Sequence, residues 1–298
     1  MIDLGEQGIG PRRFLDARRR ALTGLPFERI RVRPLAPVIG AELEGVDLRE
    51  PLAEVTFAEV ERALLEFKVI FFRNQALTIE QQADFARRFG QLEDHPFLPS
   101  PEGQPQVIRF AKDEERAGVE NVWHSDVSWR EIPSLGSVLR SRVVPEVGGD
   151  TLWADMESAY EGLSDELKER IEGLVAVHDF VNSFGLALPP DRREEMRAKY
   201  PPAEHPVVRT HPVTGRRCIY VNGIFTSHVK GLSPEESDDL LRTLYRQATV
   251  PEYQVRFRWT PDTVAFWDNR STQHYAASDY WPQERVMDRV TVIGDRPV

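Results

Sequence analysis

Hydrophobic residues along this chain fall mostly into short bursts bounded by Gly and Pro, the pattern of many brief strands rather than of a long-helix protein. Alternating segments at 30–32 and 38–43 are bounded by Pro34, Pro37, Gly40 and Gly45 and predict strands joined by turns. Thr56 and Glu59 have the spacing of a capping box, and Phe57, Val60, Leu64 and Phe67 follow at helical intervals. The uninterrupted run Val69-Ile70-Phe71-Phe72 predicts a strand buried on both faces. Thr78 and Gln81 predict a second helix cap, with Gly90 past its end. Further strands are expected at 135–144, 151–153, 254–259, 263–267 and 286–293, and a hairpin about Thr214-Gly215. Helices are expected after Ser164 and after Ser233-Pro234.

Strands of this kind, with helices gathered early and in one insertion, predict a mainly β fold with α decorations. The expected core is a double-stranded β-helix, or jelly roll, with flanking helices and a lid insertion at about 182–205. Residues 1–28 lack a sustained apolar period and predict an arm that packs late or against a neighbouring subunit of a homo-oligomer, leaving 29–298 as a single domain. A parallel nucleotide-binding sheet is disfavoured, because no strand is followed by a Gly-rich turn opening a helix.

Composition narrows the functions available. With 41% hydrophobic residues in 298, a large core is expected, and the formal charge of −10 argues against nucleic acid or an anionic membrane as partner. Any anionic substrate must then be held by local arginines. A single cysteine, Cys218, predicts a cytoplasmic protein without disulfides. The segment Ala21-Leu22-Thr23-Gly24-Leu25-Pro26 is too broken for a signal-peptide core, and no apolar run reaches membrane-spanning length.

The candidate chemistry lies in Trp123-His124-Ser125-Asp126-Val127 and, far along the chain, Gln273-His274-Tyr275. In extended backbone, residues two apart point to one side, so His124 and Asp126 can converge on one point. With His274 they would form the two-histidine, one-carboxylate triad that leaves coordination positions open on Fe(II) for oxygen chemistry. On its own such a pair is more often a solvated edge or a hydrogen-bonded couple. His178, His205, His211 and His228 sit beside helix or loop signals and are expected to be structural or surface residues.

Taken with Gly148-Gly149-Asp150-Thr151-Leu152-Trp153, Val207-Val208-Arg209-Thr210-His211-Pro212, Trp267-Asp268-Asn269-Arg270 and the closing stretch from Asp279-Tyr280 to Ile293-Gly294-Asp295, the chain resembles the 2-oxoglutarate-dependent taurine dioxygenase family from about residue 30 onward. The resemblance implies Fe(II), 2-oxoglutarate and O2 as cofactor and co-substrates, with His124, Asp126 and His274 holding the metal. It implies Thr151 and Arg285 as contacts of 2-oxoglutarate, and His95, Phe184, Phe225 and Arg289 as contacts of a small sulfonate. Guanidinium groups suit these roles, since they grip a carboxylate or sulfonate through parallel charge-assisted hydrogen bonds. The implied reaction hydroxylates the carbon bearing the sulfonate, releasing sulfite and an aldehyde beside succinate and CO2. Leu98 stands where taurine enzymes carry tyrosine, and the Glu120-Asn121-Val122 loop also differs, with Glu120 or Asn121 available to face a substrate amine. An alkyl sulfate, an aryloxyalkanoate or another small carboxylate is therefore an open alternative. From a different class, so is a non-catalytic metal-binding barrel, although that would have no use for a carboxylate clamp at Thr151 and Arg285.

Overall fold

In the computed structural model, the described residues are 12–94, 100–101, 103–183, 185 and 188–298. His95, Leu98 and Phe184 lie outside them. In chain order the strands are β1 (Arg31–Pro34), β2 (Ala41–Glu44), β3 (Val69–Phe72), β4 (Val107–Lys112), β5 (Ser134–Val143), β6 (Thr151–Asp155), β7 (Val175–His178), β8 (Ala203–Pro206), β9 (Val208–Thr210), β10 (Arg217–Ile219), β11 (Thr226–Val229), β12 (Gln254–Phe257), β13 (Val264–Asp268), β14 (Thr272–Ala276) and β15 (Arg285–Ile293). The helices are α1 (Phe14–Thr23), α2 (Glu54–Phe67), α3 (Ile79–Arg87), α4 (Met156–Glu161), α5 (Asp165–Ile171), α6 (Pro190–Lys199) and α7 (Pro234–Gln247).

The major sheet runs β1-β2-β3-β13-β5-β15-β4, and a minor sheet β12-β6-β14 packs across it. Period-two alternation explains why the major sheet is covered on both faces. Val69 and Phe71, Ala265 and Trp267, Leu139 and Met287 belong to the core shared with the minor sheet. Their neighbours Ile70, Phe72, Val264, Phe266, Val138 and Val290 face the opposite way, into a second core under α2 and α3. Between the sheets Phe71 stacks on Phe257 with ring centroids 3.7 Å apart and meets Trp153 edge-on at 5.3 Å. This is the double-stranded β-helix expected, with helices on its outer face.

Local signals place several elements as expected. Thr78 and Ser233 each complete a capping box, with Gln81 and with Glu236. Ser164 caps α5 by accepting from the Leu167 amide. Gly215 turns the β9–β10 hairpin at φ +69°, a conformation that costs glycine little.

One expectation is corrected. No side chain caps α2, which starts after Ala53; Glu59 instead accepts from the backbone amides of Glu28, Arg29 and Ile30, so its carboxylate anchors the preceding segment. Within the expected arm, residues 14–23 form a helix that packs on its own domain, with Leu15 and Leu22 buried and Arg12 donating to Tyr253 Oη at 2.7 Å. Of the expected lid, residues 190–199 form α6, whose Met196 is buried, and 203–206 form β8, paired with β7.

Phe71 joins the two sheets with no slack around it, so Phe71→Ala should cost about 3–5 kcal/mol in chemical denaturation, the usual range for a buried phenylalanine. Val55→Ala, at a position 59% exposed, should stay within about 0.5 kcal/mol. A loss below about 1 kcal/mol for Phe71→Ala would contradict this packing.

Candidate active site

His124 and His274, 150 positions apart in sequence, are brought together by a two-way backbone pairing. The His124 amide donates to the His274 carbonyl at 3.1 Å and the His274 amide donates back at 2.8 Å. Residues so paired stand side by side, and the two imidazole centroids are 4.2 Å apart. Three residues after His124 the chain turns away through Val127 at φ +47°, strained for a β-branched residue. Asp126 sits at the start of that turn, and its Oδ1 lies 3.9 Å from Nε2 of each histidine. The three side chains offer one ligand atom each, all within 4.8 Å of one another.

Protonation favours a metal here. His124 Nδ1 lies 2.8 Å from the Val122 carbonyl, which fixes the proton on Nδ1 and leaves the Nε2 lone pair facing Asp126. Burial lowers the pKa of His124 below its ordinary value, against the pull of Asp126. Burial, reinforced by His124, pushes His274 down to about 3. Burial opposes ionisation of Asp126, but Arg289, then His274 and His124, outweigh it and hold the carboxyl below the usual carboxylate range. Two neutral imidazoles and one carboxylate are the donor set a divalent metal requires, so the residues fit the ion.

Asp126 is further restrained from behind. Arg289 Nη1 donates to its Oδ1 at 2.8 Å and Ser137 Oγ to its Oδ2 at 2.9 Å. Asn269 accepts from the Asp126 amide at 3.3 Å and is itself oriented by the Trp267 indole, which donates to its Oδ1 at 2.9 Å. Neither Ser137 nor Asn269 is a candidate on sequence grounds. Asn269 lies inside the Trp267-Asp268-Asn269-Arg270 motif, but its contact with Asp126 spans 143 positions.

The triad opens into a cavity of about 490 Å³. Arg285, Met287 and Arg289 all line it, as strict alternation along β15 requires. The two register shifts in the β5–β15 pairing both lie on β5, where Arg142 is skipped between Ser141 and Val143 and Leu135 between Ser134 and Gly136, so the alternation of β15 survives. Both arginines are buried, on a strand flanked by β5 and β4 rather than at a solvated edge. Arg285 donates to the Gly149 carbonyl at 3.2 Å and to Thr151 Oγ1 at 3.4 Å, and Trp259 Nε1 donates to the same hydroxyl at 2.9 Å. Phe225 lines the cavity with its ring 6.4 Å from that of His124. The wall also includes Val119, Val122, Ile224 and Phe225, together with Lys112 and Glu120. Lys112 is absent from the sequence-based candidates.

The remaining histidines among the described residues are elsewhere. His178 and His205 are buried about Ser128, behind the Asp126 turn; His211 is buried against Asp268 at 3.1 Å; His228 is exposed.

Among known proteins, the sequence signature described as "Taurine catabolism dioxygenase TauD, TfdA family" matches residues 31–291. An alkylsulfatase from Acinetobacter baylyi is 39% identical over 279 residues, covering 91% of this chain and 87% of that protein. An alpha-ketoglutarate-dependent sulfate ester dioxygenase from Pseudomonas putida is 39% identical over 277 residues, 90% of each. A solved taurine dioxygenase from Burkholderia xenovorans superposes with a TM-score of 0.79 at 39% identity, over 91% of this chain and 93% of that one.

Titration with Mn(II) by calorimetry should give one site in the native protein and none in Asp126→Ala, with folding checked by circular dichroism. Ser137→Ala should retain the site but bind roughly 10–100-fold more weakly, the usual cost of losing a hydrogen bond that orients a ligand. Undiminished binding by Asp126→Ala would remove this residue from the metal.

Proposed function

Because this chain belongs to the TauD, TfdA family of 2-oxoglutarate-dependent dioxygenases, we propose that it is an Fe(II) enzyme that oxidises the carbon bearing the sulfate or sulfonate group of a small organosulfur anion with an uncharged tail, an alkyl sulfate ester foremost. The observation that carries this reading is one cavity holding the His124-Asp126-His274 cluster and two buried guanidiniums in an otherwise largely apolar lining. Two anions, a keto acid and a substrate, balance two arginines. Relatives of 39% identity named alkylsulfatase and sulfate ester dioxygenase support the sulfate ester, while a taurine dioxygenase structure of the same identity supports the alkanesulfonate expected from sequence. Membership in an enzyme family leaves the non-catalytic barrel without support.

Fe(II) would be held by His124, Asp126 and His274, and when bound it supplies the coupling of 2-oxoglutarate decarboxylation to hydroxylation of a C–H bond by O2. Everything else falls to this chain's side chains. Arg285, steadied by Gly149 and Thr151, is suited to grip the far carboxylate of 2-oxoglutarate. Arg289 keeps Nη1 on Asp126, while its Nε is buried without a hydrogen-bond partner among the described residues. A buried guanidinium N–H left unpaired is costly, and an anionic head group would relieve it. Arg289 then links the head group to the metal-bearing carboxylate and sets which carbon faces the metal, a positioning role. Val122, Ile224 and Phe225 take the chain and exclude water.

Hydroxylation of the carbon next to a sulfate ester oxygen yields an adduct whose C–O bond breaks, giving an aldehyde and inorganic sulfate as the hydroxyl loses its proton. From a sulfonate the C–S bond breaks instead and sulfite leaves. His95 and Phe184 remain proposed contacts of the head group, outside the described residues.

Incubation with Fe(II), 2-oxoglutarate, O2 and a medium-chain alkyl sulfate should release succinate, aldehyde and inorganic sulfate in equal amounts. Release of sulfite from the matching alkanesulfonate at higher kcat/KM would make the sulfonate the better substrate. Succinate formation indifferent to either compound would overturn the reading. Arg289→Ala should raise the KM for the organosulfur substrate by roughly 100-fold, in keeping with loss of a charge-assisted pair, and Arg289→Lys should restore only part of it.

A further inference from the structure

Beyond the metal triad and the two arginines, two charged residues line the described part of the cavity, Lys112 and Glu120, and they neutralise each other. Lys112 Nζ lies 2.6 Å from Glu120 Oε1, with the side chains 17% and 35% exposed. The second oxygen of Glu120 is also engaged, accepting from the Val119 amide at 2.9 Å. Burial works against the Glu120 carboxylate, but Lys112 and the backbone amides outweigh it and lower its pKa, so it is charged and paired.

Lys112 ends β4 directly opposite Arg285 of β15, on the same face of the sheet. Unpaired, its ammonium would be a third cation in a cavity whose reaction supplies two anions. Glu120 is carried to it by the segment 113–122, which is fastened to the rest of the fold at several points. The Glu120 carbonyl accepts from the Ala276 amide, and Trp281 Nε1 donates to the Glu114 carbonyl at 3.2 Å. Gly118 presses so closely on Ser278 and Tyr280 that a Cβ there would stand 2.8 Å from the tyrosine hydroxyl. The carboxylate is therefore aimed at Lys112 by its backbone and is not free to turn to a ligand. Val119 and Val122, near Glu120 in the chain, are exposed and line the cavity with the pair, and Arg285 stands across the sheet from Lys112.

We propose that the Lys112–Glu120 ion pair is the tail-charge filter of this enzyme: it keeps the part of the cavity beside Val119 and Val122 electrically neutral and so excludes substrates whose tails end in an ammonium or a carboxylate. The proposal rests on the organosulfur reading above. An ammonium-tailed substrate finds no acceptor, because both oxygens of Glu120 are taken and Lys112 repels it. A carboxylate-tailed one finds Lys112 already bound. Selection here works by withholding a partner from the wrong tail, which is how a site discriminates between ligands sharing one head group.

The experiment compares Lys112→Met with the native enzyme on two alkyl sulfates of equal length, one uncharged and one amine-terminated, following aldehyde and succinate. Freeing Glu120 should shift the kcat/KM ratio towards the amine-terminated compound by at least roughly tenfold, given one uncompensated charge within a few ångströms of the ammonium. Adding Glu120→Gln to Lys112→Met should cancel that shift. Should Lys112→Met not fold, Glu120→Gln alone carries the test in the opposite sense, since an uncovered ammonium should favour a carboxylate-tailed sulfate. Ratios unchanged in the variants, with the native enzyme active on the uncharged compound, would overturn the filter and leave the organosulfur reading intact. A raised KM for 2-oxoglutarate with unaltered tail preference would assign Lys112 to the co-substrate and also overturn it. A native enzyme inactive on both compounds and on the matching alkanesulfonates would bring down the organosulfur reading and the filter together.

Discussion

The site depends on one buried carboxylate. Asp126 is 5% exposed, and a charge so placed persists only if opposite charge and hydrogen-bond donors surround it. Arg289, Ser137 and Asn269 supply them from three separate parts of the chain. The fold can be understood as the means of bringing those groups to Asp126. β5 carries Ser137, β15 carries Arg289, and Asn269 follows directly on β13, three neighbouring strands of the major sheet. The histidines arrive from the other side, through the His124–His274 pairing at the rim of the minor sheet. The metal position thus lies between the two sheets, where their side chains already interdigitate.

Alternation along the strands does the sorting. One register sends Trp267, Leu139, Met287 and both arginines towards the cavity side, and the other sends Phe266, Val138 and Val290 under the helices. A slip of one residue in β15 would exchange Arg285 and Arg289 for Val286 and Val290, which is why placing both register shifts on β5 matters. Asp288, between the arginines, faces the other way and is held by Arg109 through two hydrogen bonds of 2.7 and 2.9 Å. Three charged residues within five positions are each buried, and each finds its partner on the correct face.

What could be seen in the sequence was local. The capping boxes at Thr78 and Ser233, the doubly buried Val69–Phe72 and the hairpin at Gly215 are set by residues a few positions apart, and the structure has them all. Thr56 and Glu59 misled because Glu59 is recruited by amides about 30 positions away, a contact no local spacing reveals. Helix α1 escaped notice because its buried stripe is only Leu15 and Leu22 amid arginines. The imidazoles and carboxylate of the site were visible as a motif, since that chemistry demands particular residue types. The groups steadying them were not, because a serine, an asparagine or a lysine is unremarkable until distant strands are laid side by side.

The claim under all of this is that two imidazoles and Asp126 hold one ion while Arg285 holds the keto acid beside it. A crystal grown without oxygen in the presence of Fe(II) and 2-oxoglutarate tests that most directly. The account predicts an anomalous iron peak within about 2.3 Å of His124 Nε2, His274 Nε2 and an Asp126 carboxylate oxygen, as expected for nitrogen and oxygen ligands of a first-row divalent ion. It also predicts the far carboxylate of 2-oxoglutarate on the Arg285 guanidinium. Iron bound elsewhere, or a keto acid lying away from Arg285, would contradict it.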